Sequence, residues 1–140
     1  MSRSLAREIA FKALFMLEFN SGEEEEKNIY EELAIDTVIN SGKKLNESEC
    51  QYINEVVKSA REKLSEIDEI ISTHLKKGWT IERLAAADRN ILRLSVYEIK
   101  FSENNIPKGI IINEAVEIAK KYGTDSSGRF VNGILATIAN

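Results

Sequence analysis

A polar segment of seven residues near the C-terminus combines side chains that seldom occur together. Residues 124–130 bring three hydroxyl groups, a carboxylate, a cation and an aromatic ring into one short stretch. Bases stack on rings such as Phe130, and a cation such as Arg129 binds phosphate. Asp125 and Ser126 can bond base edges and sugars, so the segment is a candidate site for single-stranded RNA. The alternative, equally open from these residues, is that Asp125 or Ser126 caps a helix and that Phe130 is a core residue.

Two arginines near the N-terminus form a second candidate site. Arg3 and Arg7 are one helical turn apart, and Lys12 lies little more than a turn further on. A cation at the start of a helix opposes the helix dipole at a cost of about 0.3–1 kcal/mol, which indicates that another group requires the charge. A phosphate would, because a helix N-terminus also offers free N–H groups. A solvated helix end is the alternative.

Side chains that carry catalysis or hold metal ions are scarce. His74 is the only histidine and Cys50 the only cysteine, so neither has a His or Cys partner at ligand spacing. Gly123, Gly128 and Gly133 form no nucleotide-binding fingerprint, because no strand precedes them and no Gly-Lys-Ser/Thr sequence follows. We therefore expect a protein that is not an enzyme and that uses no metal and no cofactor. Cys50 is expected to be a small core residue.

The composition predicts one soluble helical domain over residues 1–140. The chain is 43% hydrophobic and 30% charged, and a single proline and 7 glycines leave little material for turns. No stretch approaches the roughly 20 apolar residues that span a bilayer, and no apolar leader begins the chain, so we expect a cytoplasmic protein. The net charge of −4 opposes a protein that coats nucleic acid by bulk electrostatics. A nucleic-acid site must therefore be local.

Apolar periodicity predicts the helices that position these residues in the N-terminal half. A first helix from Leu5 to Phe19 carries a broad apolar arc, with Phe11, Phe15 and Phe19 as a second row. Such an arc packs against two elements or leaves part of itself for a partner. A second helix is predicted over 27–39, and a capping box of Asn46 and Glu49 predicts the start of a third. This third helix is expected to bend or break near Ser65.

Three further helices are predicted in the C-terminal half. Gly78 ends the preceding helix, Trp79 is expected to anchor the turn, and Thr80 can cap a helix that runs to about residue 102. The next two helices are predicted over 111–122, ended by Gly123 as a left-handed cap, and around 130–138. About seven helices with short loops, without a credible strand, indicate an all-α bundle.

A series of motifs in the C-terminal half occurs in the order found in one known family. These are DRNILRL at 88–94, YE at 97–98, IP at 106–107, INEAVEIAK at 112–120 and FVNGIL at 130–135. Together they resemble the NusB family. The likeness extends to RE at 7–8 and ALF at 13–15 in the first helix, and it is weakest over 21–51. One such motif would be unspecific, whereas the ordered series is specific, and with the first-helix motifs the likeness covers nearly the whole chain.

The resemblance implies an all-α fold of two packed helical halves, no catalytic activity and a role in transcription antitermination. It implies binding of boxA RNA, from the leaders of ribosomal RNA operons, together with the small-subunit ribosomal protein NusE. The pair would help RNA polymerase read through terminators and would support ribosomal RNA maturation. Carried over by position, the contacting residues would be Arg3, Arg7, Asp125, Ser126, Arg129 and Phe130 for RNA, and Phe15 and Asp88 for NusE.

One departure from the family and several structural interpretations accompany this resemblance. Many relatives carry a denser arginine run at the N-terminus, so RNA affinity without NusE is expected to be weaker here. Gly133 would let helices approach closely, and Asn113 and Asn132 would satisfy backbone groups inside the bundle. Asp88 occupies an apolar-phase position, which burial against an arginine or exposure to a partner would explain equally.

Two other functions fit the same residues. The first is a helical interaction module that self-associates as a homodimer. The face that carries the candidate RNA-binding residues would then be buried between the two copies. The second is a relative of the NusB-like domain that precedes an S-adenosylmethionine-dependent rRNA methyltransferase in some proteins. We expect no methyltransferase activity, because the 140 residues contain no glycine-rich cofactor motif.

Overall fold

All regular elements of the computed structural model are helical within the residues it describes, which are 3–18 and 45–140. In chain order they are α1 (Arg3–Glu18), α2 (Glu47–Glu62), α3 (Leu64–Thr73), a 3-10 turn (Ile81–Arg83), α4 (Ala86–Lys100), α5 (Lys108–Tyr122) and α6 (Ser127–Ala139). The predicted all-α class is confirmed, with six α-helices in these ranges against the predicted seven. The helix predicted over 27–39 and Phe19 lie outside the described residues.

The chain divides into two compact units, residues 1–61 and 62–140. In the first unit α1 buries the predicted apolar arc, consisting of Ala6, Ile9, Ala10, Ala13, Leu14 and Leu17. Phe11 is also buried, and its ring centroid lies 5.9 Å from that of the half-buried Phe15. Full burial of a large apolar side chain contributes about 1.5–3 kcal/mol, so this arc accounts for why the segment is held as a helix. The prediction of one domain over 1–140 stays a prediction.

A reciprocal capping box begins α2, as predicted. The Asn46 N–H donates to Glu49 Oε1 at 3.0 Å, and the Glu49 N–H donates to Asn46 Oδ1 at 2.8 Å. The helix then breaks at Lys63 (φ −96°, ψ 11°), two residues before the predicted position at Ser65. Cys50 is half-buried and is not the core residue expected. It lies beside the buried face of α2, which consists of Glu49, Tyr52, Ile53, Val56, Val57 and Ala60.

The predicted continuous helix from Thr80 is wrong. Thr80 makes no side-chain cap, a 3-10 turn follows it, and the extended Leu84 (ψ 149°) separates that turn from α4. The Arg89 guanidinium donates to the carbonyls of Ile81 at 3.1 Å and of Leu84 at 2.8 Å. These carbonyl oxygens accept hydrogen bonds from a side chain in the first turn of α4. The helix therefore does not extend back through them, and it begins at Ala86.

The α4 helix is the centre of the second unit and packs against α3, α5 and α6. Its apolar residues are almost fully buried, among them Ile91, Leu92, Leu94 and Val96. Arg93 bonds Asp68 of α3 through two nitrogens, at 2.8 Å and 2.9 Å. Because both side chains are mostly buried, this bidentate pair fixes the register of α3 on α4.

An antiparallel hairpin of α5 and α6 completes the second unit. Its open end is joined by Lys108 Nζ, which donates to the Ala139 carbonyl at 2.9 Å. At the closed end Gly123 has φ −99° and ψ −162°, so the predicted left-handed cap is wrong. A Cβ at this position would collide with the Ser127 hydroxyl and lie 2.8 Å from the Ala119 carbonyl oxygen. Glycine is required here for space.

Candidate nucleic-acid interface

The polar segment between α5 and α6 is held in place by a buried serine. Ser127 is 1% exposed, and its Oγ accepts a hydrogen bond from the Thr124 N–H at 2.9 Å. The Thr124 hydroxyl lies 3.2 Å from the same atom and 3.3 Å from Ser126 Oγ. Sequence reasoning missed this role of Ser127. A Thr-x-x-Ser spacing ahead of a helix is the signal that could have revealed it.

Asp125 and Ser126 are both exposed at this turn. Ser126 occupies the N-cap position of α6 but makes no side-chain cap hydrogen bond, and no hydrogen bond engages the Asp125 carboxylate within the described residues. The structural alternative, in which one of these two side chains caps the helix, is therefore wrong. Both side chains face solvent and are available to a ligand.

Arg129 and Phe130 follow in the first turn of α6. Arg129 is exposed and lines two separate cavities, while the half-buried Phe130 lines only the first. Phe130 is therefore neither a core residue nor fully exposed. Part of the residue is covered by the protein, and part of it remains accessible from the cavity.

The first cavity, hereafter the apolar cavity, has a volume of about 720 Å³. Ser126 and Arg129 lie on its wall together with Trp79, Leu84, Asp88, Phe130, Ile134 and Thr137. Mixed apolar walls with a few polar groups are typical of ligand sites in the range of about 300–1,000 Å³. The predicted RNA residues of α6 and the predicted partner residue Asp88 thus share one cavity.

Asp88, on the wall of this cavity, carries a carboxylate oxygen that is buried and unsatisfied. Its Oδ1 is buried and has no hydrogen-bond partner, and no arginine pairs with Asp88 in the part of the chain that the structure describes. Burial against an arginine, one of the two sequence interpretations, is therefore wrong. An unpaired buried acceptor costs about 1–3 kcal/mol, which a ligand or partner that donates a hydrogen bond would recover.

Trp79 and Arg83 also line the apolar cavity. The sequence did not predict that either residue belongs to this site. The Trp79 side chain is 51% exposed, and the Arg83 guanidinium carbon lies 5.0 Å from the centre of its ring. Arg83 also donates to the Gly78 carbonyl at 2.9 Å, and Gly78 has a left-handed φ of 91°. The expected anchoring role of Trp79 is wrong, because its ring is stacked under a surface cation and not buried.

The second cavity, hereafter the polar groove, has a volume of about 530 Å³ and runs along the α5–α6 hairpin. Its polar wall residues are Asn113, Lys120, Thr124, Asp125, Arg129 and Asn132. Asn113 and Asn132 are exposed, so the expectation that they satisfy backbone groups inside the bundle is wrong. Gly133 is also exposed and has open space around it, so it does not mediate a close helix approach.

The predicted residues in α1 are placed differently. Arg3 is the first residue of α1, and its side chain lies outside the described part of the structure. Arg7 is only 3% exposed, so a phosphate could reach its guanidinium only after the side chain turned outward. Lys12 pairs with Glu8 at 3.8 Å. Contacts of Arg3 and Arg7 with RNA, and of Phe15 with a protein partner, stay predictions.

A metal site is not formed by the described residues. No group of three His, Cys, Asp or Glu side chains in 3–18 and 45–140 could hold an ion. His74 lies on the wall of the apolar cavity, where its Nδ1 is 2.8 Å from the Ile70 carbonyl oxygen. In the same ranges, no helix has the length and apolar character needed to cross a bilayer.

Comparison with known proteins accounts for nearly the whole chain. The sequence profile of the NusB family matches residues 4–140. The chain belongs to the NusB family. The transcription antitermination protein NusB of Agathobacter rectalis is 45% identical over 139 residues, which is 99% of this chain and 100% of that protein. The Bacillus cereus (strain B4264) protein of the same name is 41% identical over 138 residues, with coverage of 99% and 97%.

Solved structures of the NusB family share this fold. T. maritima NusB superposes with a TM-score of 0.85 at 39% identity, covering 99% of this chain and 91% of that one. A crystal structure of the antitermination factors NusB and NusE in complex with dsRNA gives 0.78 at 32% identity, covering 98% and 95%. The two bacterial relatives and the NusB of the complex are named as antitermination proteins, and the NusB family is not a known enzyme family.

Proposed function

We propose that this chain is a transcription antitermination factor that binds boxA-type single-stranded RNA together with NusE. In this role it joins the antitermination complex of RNA polymerase at the leaders of ribosomal RNA operons and supports ribosomal RNA maturation. It acts in the cytoplasm and carries out no catalysis. The observation that carries the proposal is the match to the NusB family over residues 4–140, with curated antitermination proteins as full-length relatives.

The α6 side of the apolar cavity supports RNA binding at a defined place. Phe130 presents part of its ring to a base, and Arg129 places a cation beside it. Ser126 on the same wall, and Asp125 in the adjoining polar groove, are exposed and supply further hydrogen-bonding groups. Stacking of one base on an aromatic side chain contributes about 1–3 kcal/mol. A small site of this kind is consistent with a net charge of −4.

The same cavity favours an unpaired strand as its ligand. A base can enter the cavity and stack on Phe130 only after it unstacks from its neighbours in the RNA. The free energy needed to unstack it is lowest in a single strand. The solved complex of a family member with NusE contains double-stranded RNA, so duplex RNA is the comparison that any binding experiment must include.

Contact with NusE is proposed at Phe15 and Asp88. The buried Asp88 Oδ1 lacks a hydrogen-bond donor among the residues that the structure describes, and a donor from the partner would satisfy it. Phe15 is half-buried, so part of its ring stays available. Phe15→Ala and Asp88→Arg should therefore impair mainly NusE binding, whereas Arg129→Ala should impair mainly RNA binding. Identical losses of RNA binding from all three variants would contradict this division.

A transcription assay tests the proposed function. Bacterial RNA polymerase transcribes, in the presence of NusE, a template in which a boxA leader precedes a terminator, and a scrambled leader is the matched control. Addition of this chain should increase the fraction of transcripts that pass the terminator only with the intact leader. Equal read-through from both leaders, or no change on addition of the chain, would contradict the proposal.

A further inference from the structure

The polar groove combines features that its place on a helical hairpin does not require. Helical spacing sets Asn113, Val116 and Lys120 along one face of α5, opposite Gly128 and Asn132 on α6. Asparagine is a poor helix former compared with alanine, yet both asparagines lie within helices. Their amides have no hydrogen-bond partner among the described residues. Stability of the hairpin therefore does not explain them.

Glycine at position 128 gives the groove its depth. A Cβ built there would lie 3.6 Å from Val116 Cγ1 and 3.8 Å from Lys120 Cγ, which are ordinary contact distances. An alanine would therefore fit without strain and would also lower the conformational cost of glycine in a helix. Without a side chain at Gly128, the groove between the two helices stays open.

The charges of the groove suit an anion flanked by hydrogen-bonding groups. Lys120 and Arg129 place two cations on its walls and Asp125 one carboxylate. Lys120 also pairs with Glu117 at 3.5 Å, but both side chains are about two-thirds exposed. Exposed ion pairs of this kind contribute little to stability, so the pair yields readily to a phosphate.

Arg129 links the groove to the apolar cavity, because it lines both. A strand that stacks a base on Phe130 and bonds Arg129 through its backbone needs to extend only past that arginine to enter the groove. The groove volume of about 530 Å³ falls in the range of small-molecule sites of about 300–1,000 Å³.

We propose that the polar groove is a second RNA subsite, which binds one nucleotide next to the one stacked on Phe130. Lys120 and Arg129 bind its phosphate, and Asn113 and Asn132, whose amides both donate and accept hydrogen bonds, bind its base edge and ribose. This inference rests on the proposed function and extends it. It assigns a specificity-determining role to Asn113 and Asn132, which lie outside the polar segment 124–130.

The test measures binding of labelled boxA RNA to the chain in the presence of NusE. Lys120→Ala should weaken binding about three- to tenfold and lower the slope of affinity against salt by about 0.7. The matched control is Lys121→Ala, which removes the same charge from the neighbouring residue outside the groove and should bind like the unaltered chain. Asn113→Ala and Asn132→Ala should each weaken binding about three- to tenfold without changing the salt slope.

RNA length separates this subsite from a general loss of binding. When the RNA is shortened one nucleotide at a time from either end, one truncation should abolish the difference between Asn132→Ala and the unaltered chain. Gly128→Ala, which fills the groove without straining it, should reproduce the loss seen with the longer RNA.

Three results would overturn the inference in distinguishable ways. If the unaltered chain binds boxA RNA while Lys120→Ala and Asn132→Ala bind it equally well, the subsite is wrong and the proposed function stands. If Asn132→Ala weakens NusE binding in the absence of RNA, the groove contacts the protein partner instead. If the unaltered chain does not bind the RNA at all, the subsite and the proposed function both fail.

Discussion

Arg129 is the residue at which the two cavities of the second unit meet. Its guanidinium is exposed and lines both the apolar cavity and the polar groove. Arg129→Ala is therefore expected to weaken binding of boxA RNA at least tenfold and to lower the salt slope by about 0.7, the value for one phosphate contact on a single strand. Fluorescence anisotropy over a series of salt concentrations measures both quantities.

Lys58 provides the matched control for Arg129. It is exposed on α2 and lies outside both cavities, so Lys58→Ala changes the net charge equally without touching the proposed site. Equal losses of affinity from Lys58→Ala and Arg129→Ala would mean that RNA binding depends on net charge and not on a local site.

Phe130 tests stacking separately from charge. Phe130→Ala should cost about 1–3 kcal/mol of binding free energy, the value for one stacked base, and should leave the salt slope unchanged. Phe130→Tyr keeps an aromatic face and should bind nearly as well as the unaltered chain. Because Phe130 is half-buried, circular dichroism must show that each variant is folded. A tyrosine variant as weak as the alanine variant would argue against stacking.

The sequence predicted the chemistry of single residues better than their surroundings. Hydroxyl, cation and aromatic types made residues 124–130 a candidate site with a structural alternative, and the structure leaves all of them but Ser127 exposed or half-buried. The roles of Asn113, Asn132 and Gly133 were predicted wrongly, because helical phase tells which residues share a face but not whether a neighbour covers it. Ser127 was missed because its importance comes from burial under the Thr124 backbone.

One partly buried ion pair joins α3 to α4. Arg93 and Asp68 are 14% and 25% exposed and form a bidentate contact. A double-mutant cycle with Arg93→Ala and Asp68→Asn should give a coupling energy of about 1 kcal/mol, since partial burial strengthens such pairs beyond exposed ones. Urea unfolding measures it.

Lys63 and Glu66 form the comparison pair within the same unit. Their side chains are 47% and 60% exposed and lie 4.0 Å apart, so the corresponding cycle should give a coupling energy of less than about 0.5 kcal/mol. Equal coupling in the two cycles would show that the Arg93–Asp68 contact does not fix the helix register.

The turn between α5 and α6 depends on the absence of a side chain at Gly123. Gly123→Ala places a methyl group against the Ala119 carbonyl and the Ser127 side chain and should lower the free energy of unfolding by about 1–3 kcal/mol. Gly109→Ala, in open space in the first turn of α5, should raise it by up to about 1 kcal/mol. Thermal unfolding of both variants checks the opposite signs, and a stabilised Gly123→Ala would contradict the packing described here.

Helix identities were predictable at the level of elements, whereas their ends depended on tertiary contacts. The apolar period predicted α1 and α6, and the capping box predicted the start of α2 through purely local hydrogen bonds. The start of α4 was wrong by several residues because Arg89 reaches back to carbonyls five and eight residues away. No period of apolar residues encodes that contact.

At the scale of the whole molecule, the net negative charge opposes the proposed binding of RNA. A net charge of −4 repels a polyanion beyond the reach of the local cations, and screening limits that repulsion to about 8–10 Å at physiological salt. The chain is therefore expected to bind RNA weakly by itself. A partner that holds the same RNA raises the effective concentration of the strand at Arg129 and Phe130.

Titration of labelled boxA RNA with this chain, with and without NusE, tests the central claim most directly. We predict that NusE tightens binding of the single-stranded RNA at least tenfold, and that a scrambled RNA and a duplex of the same sequence gain less. Light scattering on the same samples distinguishes a homodimer from a complex with NusE. An affinity for boxA RNA that is the same with and without NusE would contradict the account.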